Sequence, residues 1–224
     1  MTSEKKIIPG LVPQKDGSFA IFIEVRNGAC LDQKALSALE HVVRETGCKL
    51  HLTTAQKLML LDLDEERGKR AMEILDGSGL HVKKAKDISQ PRVCVGKPYC
   101  KHAMQDTFAF SDYLMEKLAR KPVAKKLKVG VAGCPASCSW ANCLDVGFVG
   151  VKSGWQVFIG GHGGVRPRPG ELVTKISGPD EAVALLEKAA EIFSENVRIK
   201  SRLDRVIKKI GKEEFLKALG IEQA

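Results

Sequence analysis

The chain has 224 residues, which is enough for one large domain or two small ones that share a core, at roughly 150 residues per domain. With 44% hydrophobic and 28% charged residues, wholesale disorder is excluded, and no apolar run approaches the ~18 residues of a membrane span. The formal net charge of +9 predicts a partner or cofactor with several negative charges, such as nucleic acid, a polycarboxylate cofactor or an acidic redox protein.

The N-terminus and the cysteines indicate the compartment. The first residues, "MTSEKKIIPGLVPQ", carry charges but no apolar core of a signal peptide, so we expect a cytoplasmic protein without membrane association. Seven cysteines, an odd number, argue against a disulfide framework in a reducing compartment. At least some of them are expected to serve metal or redox chemistry.

The first part of the chain predicts a compact α+β unit. Its expected elements are strands at 18–25, 49–54 and 57–63 and helices at 32–47 and about 64–75. Asp32 caps the first helix and Gly47 ends it. The apolar positions predict a buried face formed by Leu36, Leu39, Val42 and Val43. Strand, helix, strand, strand, helix is a pattern of the ferredoxin-like type.

The second part begins near "SQPRVC", and the two predicted domains are therefore 1–88 and 89–224. Its expected elements are strands at 126–133, 145–152 and 155–161 and helices at about 106–120, 180–193 and 198–210, with a last short helix. The glycine-rich segment "GGHGGVRPRPG" is predicted to be a loop between strands.

Four cysteines of the second part form two close pairs. Five residues separate Cys94 from Cys100, and three separate Cys134 from Cys138. Thiolates are ligands of both zinc and iron–sulfur clusters. Zinc ribbons usually use gaps of two residues, so gaps of five and three residues fit a zinc site badly.

The alternative is that these cysteines are structural and buried in a core. Gly133 permits close backbone approach and Pro135 fixes the turn after a ligand. Paired cysteines beside Gly and Pro in loops are atypical of a core, so we prefer the metal interpretation. For Cys30, Cys48 and Cys143 the buried structural role is the preferred one.

Several segments together resemble a known family. The pieces "CVGKPYC", "KLKVGVAGCPASC", "DVGFVG" and "FIGGHGG" resemble the sirohaem and 4Fe–4S domain of nitrite and sulfite reductases. The segment "LHLTTAQKLMLLDL" is similar to the family's ferredoxin-like half-domain. The resemblance covers about residues 18–176. It implies an α+β fold in which a ferredoxin-like half-domain precedes a sirohaem and 4Fe–4S domain with C-terminal helices.

The resemblance implies two cofactors and their ligands. Cys94, Cys100, Cys134 and Cys138 would ligate the cluster, and Cys138 would bridge it to the sirohaem iron. Enzymes of this family reduce sulfite to sulfide or nitrite to ammonium by six electrons. We therefore expect an oxidoreductase with a small oxyanion substrate and an electron donor such as a ferredoxin or another redox protein.

Lys126 and Lys128 are the candidate catalytic residues. They are two positions apart in a predicted strand, so their side chains leave the same face. In the family, a strand with two lysines binds the substrate anion and supplies protons. A solvated basic edge is the alternative for either residue, and Arg92 is a weaker candidate for an anion contact.

The resemblance also implies contacts to sirohaem, which carries eight carboxylates. The candidate residues are Thr53, Thr54, Gln56, Gly160, Gly161, Arg166 and Arg168. His162 is expected to be a loop histidine without a cofactor contact. Where the family has arginine in T-T-R-Q, this chain has Ala55, so an arginine that would bind the anion is missing.

Three function classes remain open. The preferred one is a small sirohaem-dependent sulfite or nitrite reductase. The second is an accessory iron–sulfur and sirohaem subunit that passes electrons, and the third, not favoured, is a zinc- or cluster-stabilised nucleic-acid binder. The larger reductases contain two copies of this arrangement, whereas the chain has length for one. We therefore expect a homodimer or a complex with a related subunit.

Overall fold

A computed structural model describes residues 8–83, 89–118, 127–196 and 202–221. The chain divides into two compact units, which we call the N-terminal unit, Met1–Ala85, and the C-terminal unit, Lys86–Ala224. The domain boundary between residues 88 and 89 stays a prediction. No described helix is long and apolar enough to cross a membrane.

The N-terminal unit is an antiparallel sheet with helices. Its elements are β1 Leu11–Pro13, β2 Phe19–Glu24, the single turn α1 Arg26–Ala29, α2 Gln33–Thr46, β3 Lys49–Leu52, β4 Lys57–Leu63, α3 Glu65–Leu75 and β5 His81–Val82. The strand order is β1-β2-β4-β3, and β5 also pairs with β2. The predicted α+β class is confirmed, while β1 and β5 are strands that sequence analysis missed because they are only two or three residues long.

Helix α2 shows how local sequence determines an element. The side chain of Asp32 accepts a hydrogen bond from the backbone N–H of Ala35 at 2.8 Å, and Gly47 ends the helix with a φ of 63°. Both ends agree with the prediction. The predicted buried face is wrong at Leu36, which is 52% exposed. The buried face of α2 contains Ala35 and Leu39 instead. Leu36 lines a shallow groove on the surface.

A buried carboxylate joins three strands of this sheet. Glu24 of β2 is opposite Lys57 of β4 and His81 of β5. Its Oε1 pairs with the ammonium of Lys57 and lies 3.0 Å from Nζ of Lys83. Burial alone would raise the pKa of Glu24, but the two lysines more than offset this effect and hold the pKa below its ordinary value.

The C-terminal unit is built on a mixed sheet. Its elements are β6 Arg92–Val93, the turn α4 Gly96–Tyr99, α5 Thr107–Leu118, β7 Val129–Ala132, a 3-10 turn Ala141–Cys143, β8 Val146–Val151, β9 Gly154–Ile159, β10 Glu171–Ile176, α6 Pro179–Asn196, α7 Leu203–Ile210 and α8 Lys212–Leu219. The strand order is β10-β9-β8-β7-β6. The pairs β6–β7 and β7–β8 are parallel and the other two are antiparallel.

The two faces of this sheet have different side chains. Val129 and Val131 of β7 point to a large core that includes residues of α5, α6, α7 and α8. On the opposite face, Ala132 packs with Ala141 in the 3-10 turn. Because side chains alternate along a strand, the second face of β7 carries only small residues, which leaves room for the turn to lie close.

We predict that the buried carboxylate stabilises the N-terminal unit in a pH-dependent way. Because the pKa of Glu24 is lowered in the folded chain, its stabilising effect is present above the unfolded pKa of about 4.3 and disappears as the pH falls through the lower folded value. Glu24→Gln should lower the free energy of unfolding at pH 7 by about 3 kcal/mol. Urea unfolding from pH 7 to pH 3 measures both effects.

The matched control for this prediction is Glu40→Gln. Glu40 pairs with Arg44 on the surface, where both side chains are 61% exposed. Removing that pair should change the free energy of unfolding by no more than about 0.5 kcal/mol. Equal losses in the two variants would contradict a special role for Glu24.

Candidate functional site

The fold brings the two cysteine pairs to one edge of the C-terminal sheet. Cys94 directly follows β6, and Gly133 and Cys134 follow β7, its parallel neighbour. The carboxyl ends of parallel strands lie at the same edge, so the loops after β6 and β7 must start side by side. This edge therefore holds both thiol-bearing loops.

Backbone contacts attach the two loops to each other. The N–H of Gly133 donates to Sγ of Cys94 at 3.1 Å, and the N–H of Cys94 donates to the carbonyl of Val131 at 3.1 Å. The carbonyl of Gly133 accepts from Met104 at 2.7 Å. Thr107 Oγ1 also donates to the carbonyl of Cys94 at 2.6 Å. These hydrogen bonds hold Cys94 beside Gly133, so the loop after β6 lies against the loop after β7.

The loop after Cys134 is a tight turn with two strained residues. Ser137 and Trp140 have φ values of 49° and 55°, in the left-handed region. The N–H of Ser137 donates to the carbonyl of Cys134 at 3.1 Å, and its hydroxyl donates to Asn142 Oδ1 at 3.0 Å. Such contacts offset a cost of order 1–3 kcal/mol for each strained residue. The turn thus holds Cys138 in a defined position at the surface.

Two glycines of β8 allow the loops to pack this closely. A Cβ atom at Gly147 would lie 2.1 Å from the carbonyl oxygen of Ala141, and one at Gly150 would lie 2.7 Å from that of Gly133. Both distances are far below van der Waals contact. The glycines of "DVGFVG" therefore set the position of the cysteine turn by their lack of a side chain.

The four cysteines of the two adjoining loops are candidate ligands of a metal cluster. Cys94, Cys100 and Cys134 are half-buried and Cys138 is exposed. Among the described residues, no group of three or more His, Cys, Asp or Glu side chains is arranged to hold one metal ion. Four thiolates in two adjoining loops are the donor set that a 4Fe–4S cube requires.

Exposed apolar side chains lie next to the cysteines in sequence. Val95, Tyr99 and Trp140 are 52%, 71% and 59% exposed. Each is within two residues of Cys94, Cys100 or Cys138. Large exposed apolar side chains favour contact with an apolar partner, and the macrocycle of sirohaem would be such a partner.

The remaining cysteines differ from one another. Cys48 is buried in the core of the N-terminal unit, as expected, and Cys143 is half-buried in the 3-10 turn. Cys30 is exposed, so its predicted burial is wrong. It lies immediately after the single turn α1, where the chain has left the sheet.

The predicted lysine pair is described only in part. Lys126 lies outside the described residues, and β7 begins at Val129, later than the predicted strand at 126–133. Lys128 is exposed, and its N–H donates to Asp145 Oδ2 at 2.8 Å. Lys128 precedes β7 and Cys134 follows it, so about 20 Å of extended chain separates them at 3.3 Å per residue.

The glycine-rich loop is held by backbone packing. A Cβ atom at Gly161 would lie 2.7 Å from the carbonyl oxygen of Asn142, and the N–H of Gly160 donates to the carbonyl of Asp145 at 2.9 Å. Arg168 exchanges two backbone hydrogen bonds with His162, at 2.8 and 3.0 Å. The side chains of both Arg166 and Arg168 are exposed, where they are available to an acidic ligand.

The predicted residues of the N-terminal unit form a hairpin turn between β3 and β4. Thr53 Oγ1 donates to the carbonyl of Lys57 at 2.9 Å and accepts from its N–H at 3.1 Å. Thr54 is exposed, and Gln56 has a φ of 57°. Ala55 occupies the turn position where the resemblance leads one to expect arginine.

A charged group that the sequence patterns do not reveal lies at the other end of β6 and β7. Asp145 is fully buried, and its Oδ1 accepts from Arg202 Nε at 2.9 Å and from the N–H of Leu203 at 3.3 Å. Burial raises the pKa of Asp145, although Arg202 and the backbone donors oppose the rise. Burial and the charge of Arg202 lower the pKa of Arg92. The only sequence signal was the aspartate of "DVGFVG", which pattern alone does not pair with Arg202.

The chain belongs to the nitrite and sulfite reductase family. Residues 84–224 match the family described as "Nitrite and sulphite reductase 4Fe-4S domain", and residues 12–77 match the "Nitrite/Sulfite reductase ferredoxin-like half domain". The resemblance seen in the sequence is thereby confirmed. The family assignment also supports the expected cofactors, a 4Fe–4S cluster and sirohaem.

Similar proteins agree with this assignment. The assimilatory-type sulfite reductase of Nitratidesulfovibrio vulgaris is 27% identical over 222 residues, which cover 98% of this chain and 99% of that protein. A nitrite reductase, NAD(P)H type, of Bacillus subtilis is 25% identical over 88% of this chain but only 24% of its own length. The NirA protein of Mycobacterium tuberculosis has the same fold, with a TM-score of 0.73 and 22% identity over 95% of this chain and 42% of that one.

We predict that Gly147→Ala disturbs the cysteine turn. The new methyl group must displace the backbone at Ala141, because it would lie 2.1 Å from that carbonyl oxygen. Overpacking of this kind typically costs about 1–3 kcal/mol. The free energy of unfolding should fall by that amount, and the iron content per chain should decrease.

The matched control is Gly163→Ala, because a Cβ atom there has no neighbour within 4 Å. Chemical denaturation and iron analysis of the two variants compare a crowded glycine with an open one. If Gly147→Ala retained both the stability and the iron content of Gly163→Ala, the proposed packing role would be wrong.

Proposed function

We propose that the chain is a sirohaem-dependent reductase of a small oxyanion. The observation that carries this proposal is the meeting of the two cysteine pairs at one edge of the sheet, with the N–H of Gly133 directed at the thiol of Cys94. Family membership supplies the reaction class. The same basic residues can bind sulfite or nitrite, because both are small anions, so either is a suitable substrate.

Each of the four cysteines has a role in this proposal. Cys94, Cys100 and Cys134 are half-buried, as ligands of an enclosed cube would be. Cys138 is exposed, so its thiolate is accessible to a second metal group and is the proposed bridge to the sirohaem iron. When bound, the two cofactors supply the one-electron steps, while the chain holds them in place and excludes water.

Other residues would bind the anionic groups. Lys126 and Lys128 are the proposed contacts for the oxyanion. For the carboxylates of sirohaem, the proposed contacts are Thr53, Thr54, Gln56, Gly160, Gly161, Arg166 and Arg168. The six electrons of the reduction would come from an external donor such as a ferredoxin or another redox protein.

An accessory role is the second candidate, and Ala55 favours it. A short apolar side chain at that turn cannot bind an anion, so a chain acting alone would lack one positive charge of the family's pocket. In this alternative the chain carries electrons between cofactors within a larger reductase. Turnover by the purified, cofactor-loaded chain with a chemical reductant separates the two roles.

We predict that Cys138→Ser uncouples the cofactors. A hydroxyl is a much poorer ligand for iron than a thiolate, so the variant should lose the bridge and all reductase activity. The visible spectrum and the iron content per chain measure the loss. Full iron content with unchanged sirohaem bands would contradict the assignment of Cys138. Cys143→Ser is the matched control, and it should change neither measurement.

We also propose that the chain associates with a second subunit. A single copy would leave one wall of the macrocycle open to water, at a cost of roughly 25 cal/mol per Å² of exposed apolar surface. The position of Lys128, at the other end of β7 from the cysteine turn, supports a site completed by a second chain. A homodimer or a complex with a related subunit would cover the cofactor.

Sedimentation of the cofactor-loaded chain at micromolar concentration tests this association. We expect a species of twice the 24.4 kDa chain mass, or an inactive single chain that gains activity with its partner subunit. A 24.4 kDa species with full six-electron activity would overturn the association and leave the cysteine assignment unaffected.

A further inference from the structure

The outer side of β3 is an open strand edge in the N-terminal unit. β3 is the last strand in the order β1-β2-β4-β3, and no described strand pairs with its outer side. All four of its residues, Lys49–Leu52, are exposed. The opposite edge differs, because β1 ends at Pro13, whose nitrogen has no hydrogen to donate. β3 has neither a proline nor a bulge in its register with β4, so its edge can accept another strand.

The pairing of β3 with β4 determines which backbone groups face outward. The N–H of Thr53 donates to the carbonyl of Lys57 at 2.9 Å and closes the hairpin between the two strands. Hydrogen-bonded and non-hydrogen-bonded residues alternate along an antiparallel strand, so His51 is the next residue of β3 that bonds to β4. Leu50 and Leu52 therefore direct both their N–H and their C=O groups away from the sheet.

The side chains of the same two leucines form part of an apolar surface. Leu50 and Leu52 are two positions apart, so they share one face of the sheet. Both line the shallow groove between β3 and α2, and both are exposed, as is Leu36 of α2. We call this surface the β3 groove, and its floor and wall also include Leu39 and Val43. Contiguous exposed apolar side chains beside an open strand edge indicate an interaction surface.

The charges on the rim of the β3 groove complement themselves. Glu40 and Arg44 line the groove one helical turn apart on α2, and both are exposed. Within one chain they pair with each other, at 2.8 Å between Arg44 Nη1 and Glu40 Oε1. A copy related by a two-fold axis presents the same two charges in the reverse order, so each carboxylate can meet a guanidinium. A strongly acidic or strongly basic partner would find no excess of opposite charge on this rim.

We infer that the β3 edge and the β3 groove bind the same surface of a second copy of this chain. The two β3 strands pair antiparallel about a two-fold axis, and the two five-stranded sheets become continuous. The leucines of each copy cover the groove of the other. The inference rests on the association proposed above and deepens it by assigning the surface and the partner.

The outward backbone groups favour one register of this pairing. With Leu50 opposite Leu52 of the second copy, both outward residues of each strand exchange both of their backbone hydrogen bonds. A shift by two positions in either direction would place one of these leucines opposite a residue outside β3. In the favoured register His51 is opposite His51 of the second copy, as a pair without hydrogen bonds between their backbones.

Leu52→Lys tests the surface. Leu52 is 70% exposed, so the variant should fold normally, but in the dimer its ammonium would be buried without a partner. Sedimentation of the cofactor-loaded full chain over a range of concentrations gives the dissociation constant of the dimer, which should rise about tenfold or more. The matched control is Leu172→Lys, a half-exposed leucine of β10, the edge strand of the other sheet. The control should dimerise as the wild type does.

A cysteine cross-link tests the register. His51→Cys would place two thiols opposite each other where Cα atoms lie about 4.5 Å apart, within the range that a disulfide spans. The control is Lys49→Cys, because Lys49 would be opposite Thr53 of the second copy, and its two copies would stand roughly 13 Å apart along the strands. Under mild oxidation, electrophoresis without reductant should show a cross-linked dimer for His51→Cys above the wild-type background, and none for Lys49→Cys.

Three outcomes would overturn the inference. A wild-type chain that sediments as a 24.4 kDa species at micromolar concentration has no such dimer and leaves the edge to a different subunit. A dimer that Leu52→Lys leaves unchanged, or that Leu172→Lys weakens instead, uses another surface. Equal cross-linking of the two cysteine variants would contradict the register. None of these measurements depends on turnover or on the iron ligands, so a failure here is distinguished from a failure of the reductase proposal.

Discussion

The parallel pairing of β6 with β7 is the constraint on which the candidate site depends. Cys100 and Cys134 are more than thirty positions apart in sequence, and α5 lies between their loops as the crossover that parallel neighbours require. Once the two strands pair, the loops at their carboxyl ends must adjoin. The contact between Gly133 and Cys94 is then a local consequence, because Gly133 is the first residue after β7.

Small residues on one face of the sheet make this edge compact. The small residues on that face are Gly130, Ala132 and Gly147, which have little or no side chain for apolar contacts. Their small size lets the 3-10 turn lie directly on the strands. The opposite face compensates, since Phe148 of β8 is fully buried and packs against Phe110 at 5.3 Å between ring centroids. The sheet thus has one face for stability and one for holding the cysteine turn.

The parts of the fold that follow from local chemistry could be predicted from the sequence. Helix α2 has a capping aspartate, a terminal glycine and an apolar period, and the structure reproduces both its ends. The cysteine spacing and the glycines beside it identified the loops that meet. The strands β5 and β6 have only two residues each, too few to show the alternation of apolar and polar side chains that predicts a strand. Leu36 of α2 shows a different limit, because an apolar residue next to the buried face of a helix can still be exposed.

The pairing of Asp145 with Arg202 could not be predicted from the sequence, for a different reason. Asp145 and Arg202 are 57 positions apart, and 36 lysines and arginines were possible partners. Only the fold determines which of them meets a buried carboxylate. Because Asp145 binds the backbone of Lys128 before β7, Gly160 after β9 and Leu203 at the start of α7, one residue connects three elements. The C-terminal helices are therefore part of the framework that orients Arg202. A substitution at the start of α7 would also alter the packing at the amino edge of the sheet.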